Sequence, residues 1–154
     1  MIDATHPDAT LRMHWLRAAR WYLCALVPLN LFWELIQLPL YQIWQTAPPP
    51  TLIFAVVHCT AGDVLIGVTS LFAALLIGGA DDWPRARFGW VAGLTILGGL
   101  LFTIYSEWHN TIVVRSWAYA AAMPTLAGIG LTPLAQWLVI PAVLFWRLHT
   151  RRSS

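Results

Sequence analysis

The stretch WYLCALVPLNLFWELIQLPL, residues 21–40, carries one charged side chain, Glu34, in a run long enough as a helix to cross the roughly 30 Å hydrocarbon core of a bilayer. This block extends to about residue 45, and three more of the same kind follow at about residues 52–79, 88–108 and 132–148. Around them, 58% of the 154 residues are hydrophobic and 10% charged, against roughly 25% charged in a soluble domain. So few charges cannot coat a water-soluble fold. The sequence therefore predicts an all-α integral membrane four-helix bundle, with residues 1–154 forming one transmembrane domain in contact with the lipid bilayer. A net charge of +2 gives no reason to expect a nucleic-acid partner.

All nine basic residues are arginines. With four spans, Arg12, Arg17, Arg20, Arg85, Arg87, Arg147, Arg151 and Arg152 fall on one side and only Arg115 on the other. Cytoplasmic loops accumulate such charges, so the expectation is a multi-pass protein of a bacterial-type inner membrane with both termini cytoplasmic. The residues before Trp21, with Asp3, Asp8, Arg12, Met13, Arg17 and Arg20, read as an amphipathic surface lead-in. The apolar run after them is longer than a cleavable signal and reads as an anchor.

Prolines and glycines punctuate the spans. Pro28 and Pro39 interrupt the first, Pro48, Pro49 and Pro50 stop it, and Thr51 is the expected N-cap of the second. The loop from Asp81 and Asp82 to Arg87 is polar, and Pro141 is expected to kink the last span. Residues 117–131, broken by Pro124, Gly128 and Gly130, read as a short re-entrant or interfacial segment. Trp15, Trp21, Trp83, Trp90 and Trp146 are expected at the inner interface and Trp44, Trp108 and Trp117 at the outer one.

Each span also carries a stripe of polar or small residues at helical spacing, the mark of a face turned toward other helices. The stripes are Asn30, Glu34, Gln37 and Tyr41; Thr60, Asp63, Gly67, Ser70 and Ala74; Thr95, Gly99, Thr103, Glu107 and Asn110; and Gln136. Most of these positions are ordinary packing material. Glu34 and Asp63 are different, because each lies about 15 Å deep with no arginine at that depth, and a carboxylate in hydrocarbon must be paired, protonated or bound to a cation. A shared proton is the cheapest solution, and His58 is the nearby group that could bring positive charge. On one helix, however, His58 and Asp63 stand about 140° apart. Gln37, His58 and Gln136, then Glu107, His109 and Asn110 at the mouth, suggest a funnel open to the periplasmic side.

The same groups could hold a divalent metal such as Zn²⁺, Fe²⁺ or Mn²⁺, with Glu34, His58, Asp63, Glu107 and His109 as candidate ligands, although their spacing matches no paired-ligand signature. Haem fits less well, since His58 and His109 differ in depth. His6, His14 and His149 are expected at the cytoplasmic surface. Cys24 and Cys59 are separated in depth by about 15 Å, which argues against a disulfide. No GxSxG elbow or Ser-x-x-Lys supports a nucleophilic hydrolase.

Leu31-Phe32-Trp33-Glu34-Leu35-Ile36-Gln37-Leu38-Pro39 resembles a local pattern of the EXPERA proteins, a four-helix membrane group that includes sterol isomerases. The resemblance covers these nine residues and implies that Glu34 acts as an intramembrane acid or base on a lipophilic substrate.

Two functions from different classes follow from the residues. In the first, an enzyme acts on a lipid or isoprenoid-like molecule, with Glu34, Asp63, His58 and Glu107 as the acid–base set and Asn30, Trp33, Gln37, Asn110, Gln136 and Trp137 lining the substrate site. In the second, the chain is a non-catalytic accessory subunit or a proton- or metal-binding carrier, working as a homo-oligomer or within a larger membrane complex, with Gly89 and Gly93 as a candidate partner surface. A purely structural role, with protonated carboxylates as interhelical donors, is the third reading.

Overall fold

A computed structural model describes residues 7–79 and 83–152, with side chains described for 15–79 and 83–151. The expectations placed on Asp3, His6, Asp8, Arg12, Met13, His14, Asp81, Asp82 and Arg152 fall outside the described residues or side chains. The chain is all-α in its main elements: α1 (Pro7–Gln37), a short α2 (Ile43–Thr46), α3 (Pro49–Gly78), α4 (Phe88–Trp108) and α5 (Leu131–Arg152). The four long helices are each long and apolar enough to cross a membrane. They form a square in which α1 and α4 each pack against α3 and α5.

The helix ends follow from backbone chemistry and revise several expected boundaries. The lead-in is no separate surface element, because α1 runs unbroken from Pro7, with Ala18 and Ala19 turned to the core and Arg17 and Arg20 exposed. The first span stops at Gln37 rather than near residue 45. Pro39 has no N–H to continue the ladder, and the chain tightens into a 3-10 turn at Leu38–Leu40 before Tyr41 becomes extended. The three prolines do not merely stop the first span, since Pro49 and Pro50 occupy the first turn of α3, where a missing N–H costs nothing. Thr51 accordingly lies inside that turn, and the cap is the extended Pro48. At the other end of α3, Gly79 adopts φ +84°, and Arg87 Nη1 donates to the Gly78 carbonyl at 2.7 Å, joining the end of α3 to the start of α4.

The segment between α4 and α5 caps one end of the bundle. A π-helical turn at His109–Val113 extends α4, and Ser116 N–H donates to Asn110 O at 2.8 Å. A two-residue antiparallel hairpin, β1 (Thr125–Leu126) with β2 (Ile129–Gly130), then leads into α5. The middle of this segment pairs with the chain leaving α1: Gln42 N–H donates to Ala118 O and Ala120 N–H to Leu40 O, each at 2.9 Å.

The two ends of the bundle differ in chemistry. Tyr22, Leu26, Leu71, Leu75, Val91, Ile140, Leu144 and Phe145 fill the end near the arginines, where Arg151 lies over the Trp21 ring and Phe88 meets both Phe145 and His149. Trp83 belongs to this apolar core rather than to an interfacial belt, being only 1% exposed. The outward faces carry Phe32, Ile53, Phe54, Leu65, Leu76 and Leu101, as a lipid-facing surface requires. Toward the capped end the interior becomes polar.

Candidate functional site

Asn30, Trp33, Glu34 and Gln37 share one face of α1 because their spacing is three, four and seven residues. From α5, Gln136 reaches this face with the two N–H bonds of its amide, one donated to Asn30 Oδ1 and one to Asp63 Oδ2 on α3, both at 2.8 Å. Glu34 Oε1 lies farther from the same nitrogen, at 3.4 Å, and takes its short hydrogen bond from Gln37 Nε2 at 2.6 Å. Trp33 Nε1 donates to Gln37 Oε1 at 3.2 Å, and Asn30 Nδ2 to Leu26 O at 2.9 Å. Asn30, Glu34, Gln37 and Gln136 are buried, Gln136 to within 2% of full burial, while Asp63 keeps part of its surface accessible.

The carboxyl groups of Glu34 and Asp63 adjoin each other within hydrogen-bonding reach. Among the described residues no arginine pairs with either of them or with Glu107, and the chain contains no lysine. Trp137 completes this centre from α5. Its indole lies beside Asp63, and its ring packs so closely on Gly99 of α4 that a Cβ there would collide with it. Gly67 of α3 gives the same close approach to Leu26.

A second centre stands at the capped end. Glu107 on α4 is buried and accepts a hydrogen bond from the Tyr119 hydroxyl, which in turn accepts one from the Gly130 N–H at 2.9 Å. Burial, reinforced by the adjoining Glu107, pushes the Tyr119 phenol above its ordinary range, so it stays neutral and donates. Tyr41 is bridged to Tyr119 through the backbone, with ring centroids 5.6 Å apart, and lies within electrostatic reach of Glu34, Cys59 and Glu107. Glu107 also lies within electrostatic reach of Asp63. Each of the four helices thus brings a polar group to one seam: Glu34, Asp63, Glu107 and Gln136.

Other expected members of the site are elsewhere. His58 is exposed on the outer face of α3, stacked on Phe54 with centroids 5.5 Å apart, as its 140° offset from Asp63 requires. His109 stacks on Tyr105 at 5.7 Å. Among the described residues no group of three His, Cys, Asp or Glu side chains could hold a metal ion, so the proposed ligand set of Glu34, His58, Asp63, Glu107 and His109 is not assembled. Asn110 serves the turn after α4, donating to Ser106 O at 2.8 Å and accepting from Ser116 Oγ at 3.3 Å, which leaves it little freedom to orient a substrate. The expected funnel mouth is covered, because the segment carrying Tyr119 lies over Glu107. Cys24 and Cys59 are free thiols, and Cys59 is half-buried near Glu34 and Asp63.

Sequence reasoning missed Tyr119. Its stretch has neither helical nor alternating periodicity, and the one signal there was a tyrosine amid the apolar residues of a Pro- and Gly-broken segment. A cavity of about 370 Å³ between α3 and α4, lined by residues such as Ile66, Ser70, Leu97, Gly98 and Phe102, is apolar and separate from the carboxylates. No family model matches the chain, no curated protein matches it, and no solved structure shows a significant likeness to it.

Proposed function

We propose that this is a small inner-membrane protein with cytoplasmic termini whose Glu34–Asp63 pair shares a proton and serves as an acid–base centre for a lipophilic, lipid- or isoprenoid-like substrate. The observation that carries this reading is the juxtaposition of two carboxyl groups served by one Gln136 amide, with no cation among the described residues paired to either. Two carboxylates that adjoin in a desolvated site cannot both remain charged, so the stable form holds one proton between them. Such a pair has one group able to give a proton and one able to take it, which is what general acid–base chemistry uses. Asp63, Tyr41 and Cys59 are the half-buried groups through which a substrate would meet the pair.

The arginines support the orientation. Arg17, Arg20, Arg85, Arg87, Arg147 and Arg151 belong to one end of the bundle and Arg115 to the other. Untargeted lipid analysis of membranes from cells expressing the wild type, Glu34→Gln or Asp63→Asn tests the enzyme reading. A lipid species consumed or formed only with the wild type supports it. Identical lipid profiles, with all three proteins equally abundant, refute it.

One observation favours a second reading, that of an accessory subunit. A Cβ added at Gly89 or Gly93 meets nothing within 4 Å, so these small residues open onto the outer face of α4, where another helix could approach closely. Gly89→Leu or Gly93→Leu then releases a copurifying subunit and leaves the lipid profile unchanged.

A further inference from the structure

Among the described residues, two hydroxyls near the polar seam are buried with no hydrogen-bond partner, Thr60 Oγ1 on α3 and Thr103 Oγ1 on α4, while Tyr22 Oη and Trp83 Nε1 are unpartnered in the apolar core at the other end. Thr60 and Thr103 are 8% and 5% exposed, so bulk water does not satisfy them. The two threonines stand in the same relation to a carboxyl group. Thr60 precedes Asp63 by three residues and Thr103 precedes Glu107 by four, which places each hydroxyl on the same helix face as a carboxyl group. The antiparallel register of α3 and α4, with Gly78 against Val91 and Gly98 against Ser70, sets Thr60 level with the end of α4 near Glu107, and Asp63 lies three residues, or about 4.5 Å, deeper than Thr60. The Trp117 indole N–H lies within hydrogen-bonding reach of Glu107 itself. Buried polar atoms in folded proteins are satisfied by protein or by ordered water, so two unpartnered hydroxyls, each about one helical turn before a carboxyl group, mark a place where water belongs.

We propose that Glu107 and Tyr119 form a second proton-carrying centre, joined to the Glu34–Asp63 pair by water molecules held on Thr60 and Thr103, so that the buried pair exchanges its proton through the capped end. The inference rests on the shared-proton reading of that pair. Glu107 gives its proton to a bound water, and the water passes one of its own to the pair. Glu107 is left as a carboxylate, the pair is one proton richer, and the water is unchanged. Glu107 recovers a proton through the Tyr119 hydroxyl, which donates to it and takes another from outside. The titratable groups facing Glu107 are Asp63 and Cys59 from α3, and Tyr41 and Tyr119 from the chain segments packed over the bundle end. No described histidine or arginine is among them. At the opposite end the unpartnered Tyr22 Oη and Trp83 Nε1 belong to a core cluster that contains no carboxyl group among the described residues.

The test is infrared spectroscopy of the full-length protein in detergent, following the protonated-carboxyl C=O band after transfer to D₂O. Loss of that band in Glu34→Gln or Asp63→Asn assigns it to the pair. If no band disappears in either variant, the shared-proton reading fails and this inference fails with it. With the band assigned, its deuterium exchange in Thr103→Val and Glu107→Gln is expected to be slower than in wild type by about a hundredfold, the lower end of the range that positioned proton transfer supplies. Ser70→Ala, in the apolar groove, should exchange at the wild-type rate. Valine keeps the shape of threonine, so Thr103→Val and Thr60→Val isolate the hydroxyl even if Tyr119→Phe loosens the cap. Unchanged exchange in Thr103→Val, Thr60→Val and Glu107→Gln, with the band still present, overturns the route while leaving the pair intact.

Discussion

Gln136 on α5 and Asp63 on α3 meet across the bundle, amide nitrogen to carboxyl oxygen at 2.8 Å, and the other N–H of that amide holds Asn30 of α1 at the same distance. One side chain therefore ties three helices together at the level where their polar stripes converge. Because both donors are committed, Gln136 sets where the Asp63 carboxyl sits.

Replacing Gln136 by leucine removes both donors and takes the amide partner from Asn30 Oδ1 and Asp63 Oδ2 in a largely buried site. The expected loss is about 1–3 kcal/mol, the cost of unsatisfied buried polar groups, moderated in membranes by alternative partners. Thermal unfolding in detergent measures it, and a melting temperature equal to wild type would show that the amide is not structural.

The isosteric amides behave differently. Glu34→Gln or Asp63→Asn preserves the shape of the pair and removes the like charge, so each single variant should be as stable as wild type or more so. A marked fall in melting temperature for either variant would show that the ionised form itself holds the helices.

Gly99 and Trp137 form a key and slot between α4 and α5. Gly99→Val forces the indole away from its place beside Asp63 and is expected to cost about 1–3 kcal/mol or more through overpacking. Combination with Trp137→Leu should recover much of that loss. A double variant less stable than Gly99→Val alone contradicts the proposed fit.

Tyr119 makes the cap sensitive to alkali. Burial first, then the hydrogen bond to Glu107, raises its phenol above the unfolded value. The stabilisation is therefore fully present below the unfolded tyrosine value of about 10 and is lost as pH rises beyond it. Limited proteolysis of the cap should increase at high pH in the wild type, and this pH dependence should be weaker in Tyr119→Phe, whose cap is looser at every pH.

Orientation is checked with cysteine labelling. In a variant lacking Cys24 and Cys59, a cysteine replacing Arg115 should react with a membrane-impermeant maleimide in intact cells. One replacing Arg85 should react only after the membrane is opened. The reverse pattern would invert the topology.

The membrane class, four spans and the polar stripes were legible because each is a local property of the chain. Hydropathy over twenty residues reports what a segment can be dissolved in, and three- or four-residue spacing reports which side chains share a face. That is how Asn30, Glu34, Gln37, Asp63 and Gln136 could be singled out as facing inward. The same periodicity warned that His58 points away from Asp63, and the structure places it beside Phe54. The proline run was harder to read, because a proline that ends one helix is equally suited to start the next.

Which polar groups touch was settled only by tertiary structure. Hydrogen bonds between helices depend on their relative depth and rotation, and these are fixed by close approaches such as Gly67 with Leu26 and Gly99 with Trp137, between residues far apart in the chain. Tyr119 joins Glu107 through a segment whose shape comes from backbone pairing with Leu40 and Gln42, a constraint that leaves no periodic trace. The sequence by itself determined the solvent each helix requires and the face each helix hides. The tertiary structure decided that Glu34 adjoins Asp63 and that Glu107 stands on the same seam beneath a cap, because only packing sets the register that aligns them.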